Sequence, residues 1–320
     1  MAVSTPAASS APPRQILCYG TGSQRSLLFA VMPGEIFGLL GPNGAGKTTT
    51  IRMILILFSR PPAEIEVLGG SMTEATKGRI GYLPEERGLY EDMTLIDTIL
   101  FLGQLKGLSR KTAQERAERY LRQVNLWEVR TRKIGALSRG MNQKAQFVAA
   151  TLHEPELIIV DEPFSGLDPV NTRLIKDLLY AMRERGTAII MSTHQMHQVE
   201  AMCERILLID RGQQVLYGPL QEIRRRFAAN AVEVDLRGEL PLLPGVEQAT
   251  RHNGAYRLVL AEEVQPEMLL RTLVNLPAIT VERFERVEPS PDEIFIQVVG
   301  RTVSEEELVR ADAAVVGEAA

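Results

Sequence analysis

"GPNGAGKT", residues Gly41–Thr48, follows the apolar run "EIFGLL" (Glu35–Leu40) and opens "TTTIRMILIL" (Thr48–Leu57). Between a strand and a helix the pattern G-x-x-x-x-G-K-[ST] has a mechanical meaning. Gly44 and Gly46 let backbone amides turn inward around a β-phosphate. Lys47 can bridge β- and γ-phosphates, and the Thr48 hydroxyl can sit on Mg²⁺. Gly41, Pro42, Asn43 and Ala45 build the rest of the loop and Thr49 follows it, so all of these are expected nucleotide contacts. The bland alternative is a glycine-rich turn with an incidental lysine, and the strand–loop–helix setting weighs against it.

Further along, "LIIVDEP" (Leu157–Pro163) reads as a buried strand that delivers Asp161 and Glu162 to its carboxyl end. In open α/β sheets that edge is where ligands bind. Asp161 can hold Mg²⁺ through water, and Glu162 can polarise an attacking water as a general base. "FSGLDP" (Phe164–Pro169) follows, then an apolar strand ending in "STHQ", whose His194 is placed as a γ-phosphate sensor. "LSRGMNQKAQ" (Leu137–Gln146) has no nucleophile elbow and no metal-ligand spacing. Its Ser138 suits an N-cap of a helix beginning around Met141. The same exposed amides would also attract an anion.

Around these motifs, "EIFGLLG", "LIIVDEP", "TAIIMST" (Thr187–Thr193) and "RILLIDRG" (Arg205–Gly212) alternate with helical stretches at Asn171–Arg185 and Gln195–Cys203. Continuous apolar strands with crossover helices predict a mostly parallel sheet covered on both faces. Asp97–Glu128 carries only helical patterns and reads as part of a helical insertion at about residues 92–143. After "RRRFAAN" the pattern changes to strands plus helices at Pro266–Leu276 and Pro291–Val298, a small α+β domain over residues 230–300. Residues 1–13, rich in Ala, Ser and Pro, read as a disordered tail, and the acidic, Ala/Val/Glu-rich residues 301–320 form a second tail.

Apolar residues at 45% and charged residues at 24% place the chain among globular proteins. The net charge of −4, without long basic blocks, argues against nucleic acid as a partner. Two cysteines, Cys18 and Cys203, make neither a zinc site nor a disulfide framework. The N-terminus lacks a signal-peptide core, and "MILILF" (Met53–Phe58) is too short to span a bilayer. The expectation is a cytoplasmic protein that reaches a membrane only through another chain.

In this order, the phosphate loop, "LSRGM" (Leu137–Met141), "LIIVDEP", "SGLD" (Ser165–Asp168) and His194 resemble the nucleotide-binding subunits of ABC transporters over about residues 14–228. The ending "VERFERVEPSPDEIFIQVVG" looks like the accessory domain of the sodium-efflux and drug-resistance subgroup of type-2 exporters. The resemblance implies a phosphate-loop fold with a mostly parallel sheet, an antiparallel β subdomain and a helical insertion. It implies ATP and Mg²⁺, and a head-to-tail dimer with a second copy or a paralogous ATPase subunit. Ser138 and the Gly140 amide would then cap the γ-phosphate held by the other copy. Separate transmembrane permease subunits would hold the protein at the inner face of the membrane.

Most relatives carry Gln after "GY-x-P", where this chain has Glu85 in "GYLPEERGLY" (Gly81–Tyr90). A carboxylate there can accept from Mg²⁺-bound water but cannot donate. "RQILCYGTGSQRSLLFAVMPGE", ahead of the loop, lacks a clear alternating strand before Tyr19. Tyr19 is the candidate for stacking on adenine, with a core tyrosine as the alternative. About ninety residues separate Lys47 from Ser138, too few for the arms of chromosome ATPases. A single ATPase half argues against the duplicated translation factors, and no N-K-x-D motif supports a GTPase. A regulator that binds nucleotide without hydrolysis is disfavoured by the retention of Glu162 and His194.

Overall fold

The computed structural model describes residues 16–20, 27–55, 63–86, 88–227 and, apart from 239, 253, 262, 288 and 297, residues 230–298. The two tails, the Tyr19 side chain and the end of "MILILF" lie outside the described residues. The chain divides into two compact units, one ending at Pro219 and the other starting at Leu220.

The first unit holds two sheets. β1 (Ile16–Gly20), β2 (Leu28–Val31) and β4 (Ala63–Glu66) form an antiparallel sheet in the order β2-β1-β4. β3 (Ile36–Leu40), β5 (Ile80–Leu83), β6 (Leu157–Asp161), β7 (Ala188–Ser192), β8 (Arg205–Asp210) and β9 (Gln213–Pro219) form the large sheet. Its order is β5-β6-β7-β3-β8-β9, parallel except for the last pair. Every residue of β3, β6 and β7 is buried, which is why these strands lack polar alternation. Phe29 of β2 stacks on Phe37 of β3 with ring centroids 5.4 Å apart, joining the two sheets into one core.

Five strands of this unit, β1, β2, β4, β5 and β9, were not evident in the sequence. β1 forms despite its irregular composition, because β2 and β4 both supply ladder partners for it. β5 is a four-residue edge strand paired with β6, and β9 folds back antiparallel on β8. Pairing partners, rather than local pattern, decide strands such as these.

Helices connect the strands: α1 (Lys47–Ile54), α2 (Glu74–Lys77), α3 (Leu95–Leu105), α4 (Arg110–Gln123), α5 (Arg139–Thr151), α6 (Pro169–Glu184) and α7 (Met196–Met202). α3, α4 and α5 pack as a separate helical group. Thr94 and Ser109 cap the first two by accepting the amides of Asp97 and Thr112. Leu95 and Ile99 on α3, Ala117 and Leu121 on α4, and Val148 on α5 are fully buried against one another. Each large aliphatic side chain so buried contributes about 1.5–3 kcal/mol.

The second unit contains α8 (Leu220–Phe227), β10 (Ala231–Arg237), β11 (Val246–His252), β12 (Ala255–Leu260), α9 (Pro266–Val274) and β13 (Thr280–Arg286). Its antiparallel sheet runs β11-β12-β10-β13. Val232, Val234 and Leu258 from one face of the sheet pack against Leu269 and Leu273 of α9. Among the described residues, no helix of either unit is long and apolar enough to cross a membrane.

Candidate functional site

The large sheet sets the site at the carboxyl ends of β3, β6 and β7. After β3 the chain turns at Gly41, where φ is +152° and an added Cβ would lie 2.2 Å from the Ile209 carbonyl oxygen. Only a glycine lets the loop pass this close to the end of β8. Gly44 and Gly46 take φ values of +79° and +109°. Gly46 is the N-cap of α1 and brings no side chain to its amides. Helix-start amides left in this way favour an anionic ligand.

Lys47 opens α1, and its ammonium donates to the carbonyls of Gly41 at 2.7 Å and Pro42 at 3.1 Å. Burial lowers its pKa, while Glu162, Asp161 and Glu85 work in the opposite direction. Thr48 donates its hydroxyl to Asp161 Oδ2 at 3.4 Å. Asp161 ends β6 almost fully buried. Its pKa is raised by that burial and by Glu162, against the opposing effects of Ser192, Thr48 and Lys47.

Glu162 has a left-handed backbone, φ +49°, and its amide donates to the Ser192 carbonyl at 2.9 Å. A non-glycine residue in this region carries strain of about 1–3 kcal/mol, a cost that clusters at functional sites. The twist places the carboxylate under three groups of the next strand end. Thr193 Oγ1 donates to Oε2 at 3.2 Å, and the His194 amide donates to Oε1 at 2.9 Å. His194 Nδ1 lies 2.6 Å from the same Oε1. The Glu162 side chain is 7% exposed, whereas the imidazole is mostly exposed. Thr193 was not singled out from sequence, since a threonine beside a histidine carries no signal until the strand end is placed.

Asn43, Gly44, Gly46, Lys47, Thr48, Thr49, Glu85, Asp161, Glu162 and His194 line one open cleft of about 340 Å³. Gly41, Pro42 and Ala45 form the back of the loop. The Pro42 carbonyl accepts the Ala45 amide, and the Ala45 carbonyl accepts the Gly212 amide. The donor set suits a triphosphate, with glycine amides, an uncapped helix start and an ammonium on one side of two carboxylates. It also suits Mg²⁺, which is usually held by one or two protein oxygens together with phosphates. Thr48 and Asp161 already sit side by side.

Ser138 and Gly140 do not line this cleft. Ser138 is the N-cap of α5, accepting the Met141 amide at 3.3 Å, and the helix starts at Arg139, two residues before the predicted start. Arg139 folds over Gly166 of the "SGLD" turn, where an added Cβ would meet its guanidinium at 2.4 Å. α5 holds the site from behind as well. Gln143 donates to the Pro163 carbonyl at 3.4 Å and Gln146 to the Glu86 carbonyl at 3.1 Å. Neither glutamine was singled out from sequence, because each acts through a carbonyl that only the fold brings near.

Beyond the Glu85–Glu86 turn lies a groove of about 480 Å³ between α2, α3 and α5, with Tyr82, Pro84, Leu89, Leu102, Leu105 and Gln146 among its walls. Tyr90 and Phe101, in edge contact at 5.9 Å, and Leu105 are exposed apolar side chains in the same region.

A phosphate loop on a parallel sheet, facing an Asp–Glu pair and a strand-end histidine, defines an ATPase of the phosphate-loop class. Residues 25–165 match the family described as ABC transporter, and residues 218–299 match "ATP-binding protein DrrA1-3-like, C-terminal domain". The chain is 39% identical over 269 residues to the "Uncharacterized ABC transporter ATP-binding protein YhaQ" of Bacillus subtilis (strain 168), covering 83% of this chain and 90% of that protein. It is 32% identical to the "Linearmycin resistance ATP-binding protein LnrL" of the same organism, over 87% of this chain and 94% of that one. A solved structure described as "Structure of ATP binding subunit of ABC transporter" superposes with a TM-score of 0.61 at 32% identity, covering 67% of this chain and 92% of that one. The chain belongs to the ABC transporter ATP-binding family and is an ATPase of that family.

Proposed function

We propose that this chain powers an ABC exporter of the sodium-efflux and drug-resistance kind, as one half of a head-to-tail dimer that encloses two ATP molecules. The observation that carries the reading is the Glu162 carboxylate, buried and held by Thr193 and His194 across the cleft from Lys47. The subgroup assignment draws support from the second unit, which matches a DrrA1-3-like C-terminal domain, and from LnrL, a relative named for linearmycin resistance.

In this reading the loop amides and Lys47 hold the phosphates of ATP. Thr48, Asp161 and Glu85 are the oxygen ligands available to Mg²⁺, which when bound supplies charge neutralisation at the β- and γ-phosphates. Glu162 orients and deprotonates the attacking water, and the strand-end donors keep its carboxylate aimed into the cleft. His194, exposed at the cleft mouth, orients the γ-phosphate. Tyr19 supplies the adenine-stacking ring. Ser138 and the Gly140 amide serve the partner's nucleotide, which fits the position of Ser138 outside its own cleft.

The permease subunits are separate chains that hold the protein at the inner face of the membrane. Their docking site is the groove beyond Glu85, where a cytoplasmic segment with an apolar face would cover Tyr90, Phe101 and Leu105. Exposed apolar clusters of this kind mark interaction sites.

Mixing two inactive variants, Lys47→Ala and Ser138→Arg, tests the composite site. In a mixed dimer one site carries both defects and the other carries none, so turnover should partly return. A mixture that stays inactive while mixed dimers form, under conditions where one intact site suffices, would overturn the head-to-tail arrangement.

A further inference from the structure

Gln146 lies about two turns into α5, and the residue is 4% exposed. Its amide nitrogen donates 3.1 Å to the carbonyl of Glu86, the neighbour of Glu85. Glu85 itself lines the nucleotide cleft, while Gln146 lines the groove on the other side of the same turn. Both glutamates of that turn have exposed side chains, so a buried donor from a rigid helix fixes a stretch that is otherwise on the surface.

We propose that Gln146 is a positioning residue for Glu85, holding the Glu85–Glu86 backbone so that the Glu85 carboxylate meets the Mg²⁺ side of the cleft. This inference rests on the reading of Glu85 as a Mg²⁺ or water ligand. The helix that carries Gln146, capped by Ser138, also holds the Pro163 carbonyl, next to Glu162, through Gln143. α5 therefore fixes both acidic loops of the cleft from one rigid body. An amide is required at position 146 because the target is a carbonyl oxygen: a carboxylate cannot donate to it and a thioether has no proton to give. A groove occupant that shifts Gln146 would shift Glu85 with it, linking the two sides of the turn.

The test uses the full-length protein and a fluorescent ATP analogue, titrated with Mg²⁺ under equilibrium binding conditions, alongside steady-state turnover. Gln146→Met keeps the side-chain length and removes the donor. Gln146→Leu, of similar volume, removes the donor in a second way. Loss of a supporting hydrogen bond of this type costs about 10–100-fold in metal affinity or activity. Both variants should raise the half-saturating Mg²⁺ about tenfold while leaving Mg²⁺-free nucleotide binding unchanged. On a Glu85→Ala background the same substitutions should add nothing, because coupled residues are not additive.

If Glu85→Ala changes the Mg²⁺ dependence and both Gln146 variants fold but leave it unchanged, the positioning role is wrong and the Glu85 reading stands. Full additivity on the Glu85→Ala background also overturns it. If Glu85→Ala itself leaves the Mg²⁺ dependence unchanged, the Glu85 reading falls first and this inference falls with it. Should one Gln146 variant fail to fold, the other decides by the same readouts. Should both fail, wild-type hydrogen exchange decides: protection of the segment around Glu85 and of α5 by Mg²⁺ and nucleotide together supports the role, and protection of one without the other overturns it.

Discussion

Adding one methyl group at Gly41 measures how closely the phosphate loop is held against the sheet. An alanine Cβ there would stand 2.2 Å from the Ile209 carbonyl oxygen and 2.9 Å from Ala45 Cβ, at a φ of +152°. Overpacking costs about 1–3 kcal/mol and the disfavoured backbone about 1–3 kcal/mol more, a central cost of roughly 4 kcal/mol. Gly44 is the internal control: its φ is +79°, but nothing lies within 4 Å of an added Cβ. Gly44→Ala therefore carries only the left-handed penalty of about 1–2 kcal/mol. Trp127, the single tryptophan, reports on the first unit, so its fluorescence follows thermal unfolding there. At about 2–4 °C per kcal/mol for a unit of this size, Gly41→Ala should melt roughly 8–16 °C below wild type and Gly44→Ala roughly 3–6 °C below. Folded Gly41→Ala protein should also bind ATP more weakly than folded Gly44→Ala, because relief of the contact displaces the carbonyls that position Lys47. Equal melting temperatures for the two variants would refute the close approach of the loop to β8.

His153 gives a pH dependence with a definite sign. Burial first, and then the nearby Lys106, lowers its pKa to about 4, and it bonds the Ile80 carbonyl at 3.1 Å. The fold thus favours the neutral ring, so its contribution is present above the unfolded pKa of about 6.5 and is lost as pH falls toward 4. A shift of this size corresponds to about 3 kcal/mol. The stability gap between wild type and His153→Gln should narrow as pH falls from 7 to 4.5, and a constant gap would remove the titration argument. Ser138→Ala should lower stability by about 0.5–2 kcal/mol through the lost cap of α5. If the serine also meets a partner's phosphate, ATP-driven association should fall by more than that stability loss explains; activity unchanged per folded molecule would leave it a cap alone.

The central strands and the residues that line the cleft were readable because their chemistry is local. The phosphate loop fixes a strand, a turn and a helix within a few residues, and "LIIVDEP" places two carboxylates at a strand end by length alone. The phosphate-loop fold, with its mostly parallel sheet, followed from those segments. β1, β4 and β5 did not, because each is short and is paired with a strand distant in sequence, and β2 and β9 were not evident either, although β9 folds straight back on β8. The start of α5 was set two residues late, since the polar Arg139 and Gly140 hide the helix that Ser138 caps. Residues acting through backbone carbonyls were invisible for the same reason: nothing in "NQKAQF" indicates that Gln143 and Gln146 reach Pro163 and Glu86. The left-handed turn at Glu162 was equally hidden, as its residue type gives no hint of a positive φ.

The most direct test of the account is turnover by Glu162→Gln. The substitution keeps the size of the side chain and removes its basicity, while Lys47, Thr48 and the loop amides that hold ATP are untouched. Loss of a general base typically costs about 10²–10⁴ in rate, or roughly 3–5 kcal/mol of barrier. Turnover should fall by that factor with ATP affinity unchanged, and ATP should accumulate in a closed dimer that no longer reopens. Turnover near the wild-type rate would contradict the claim that this buried carboxylate drives hydrolysis.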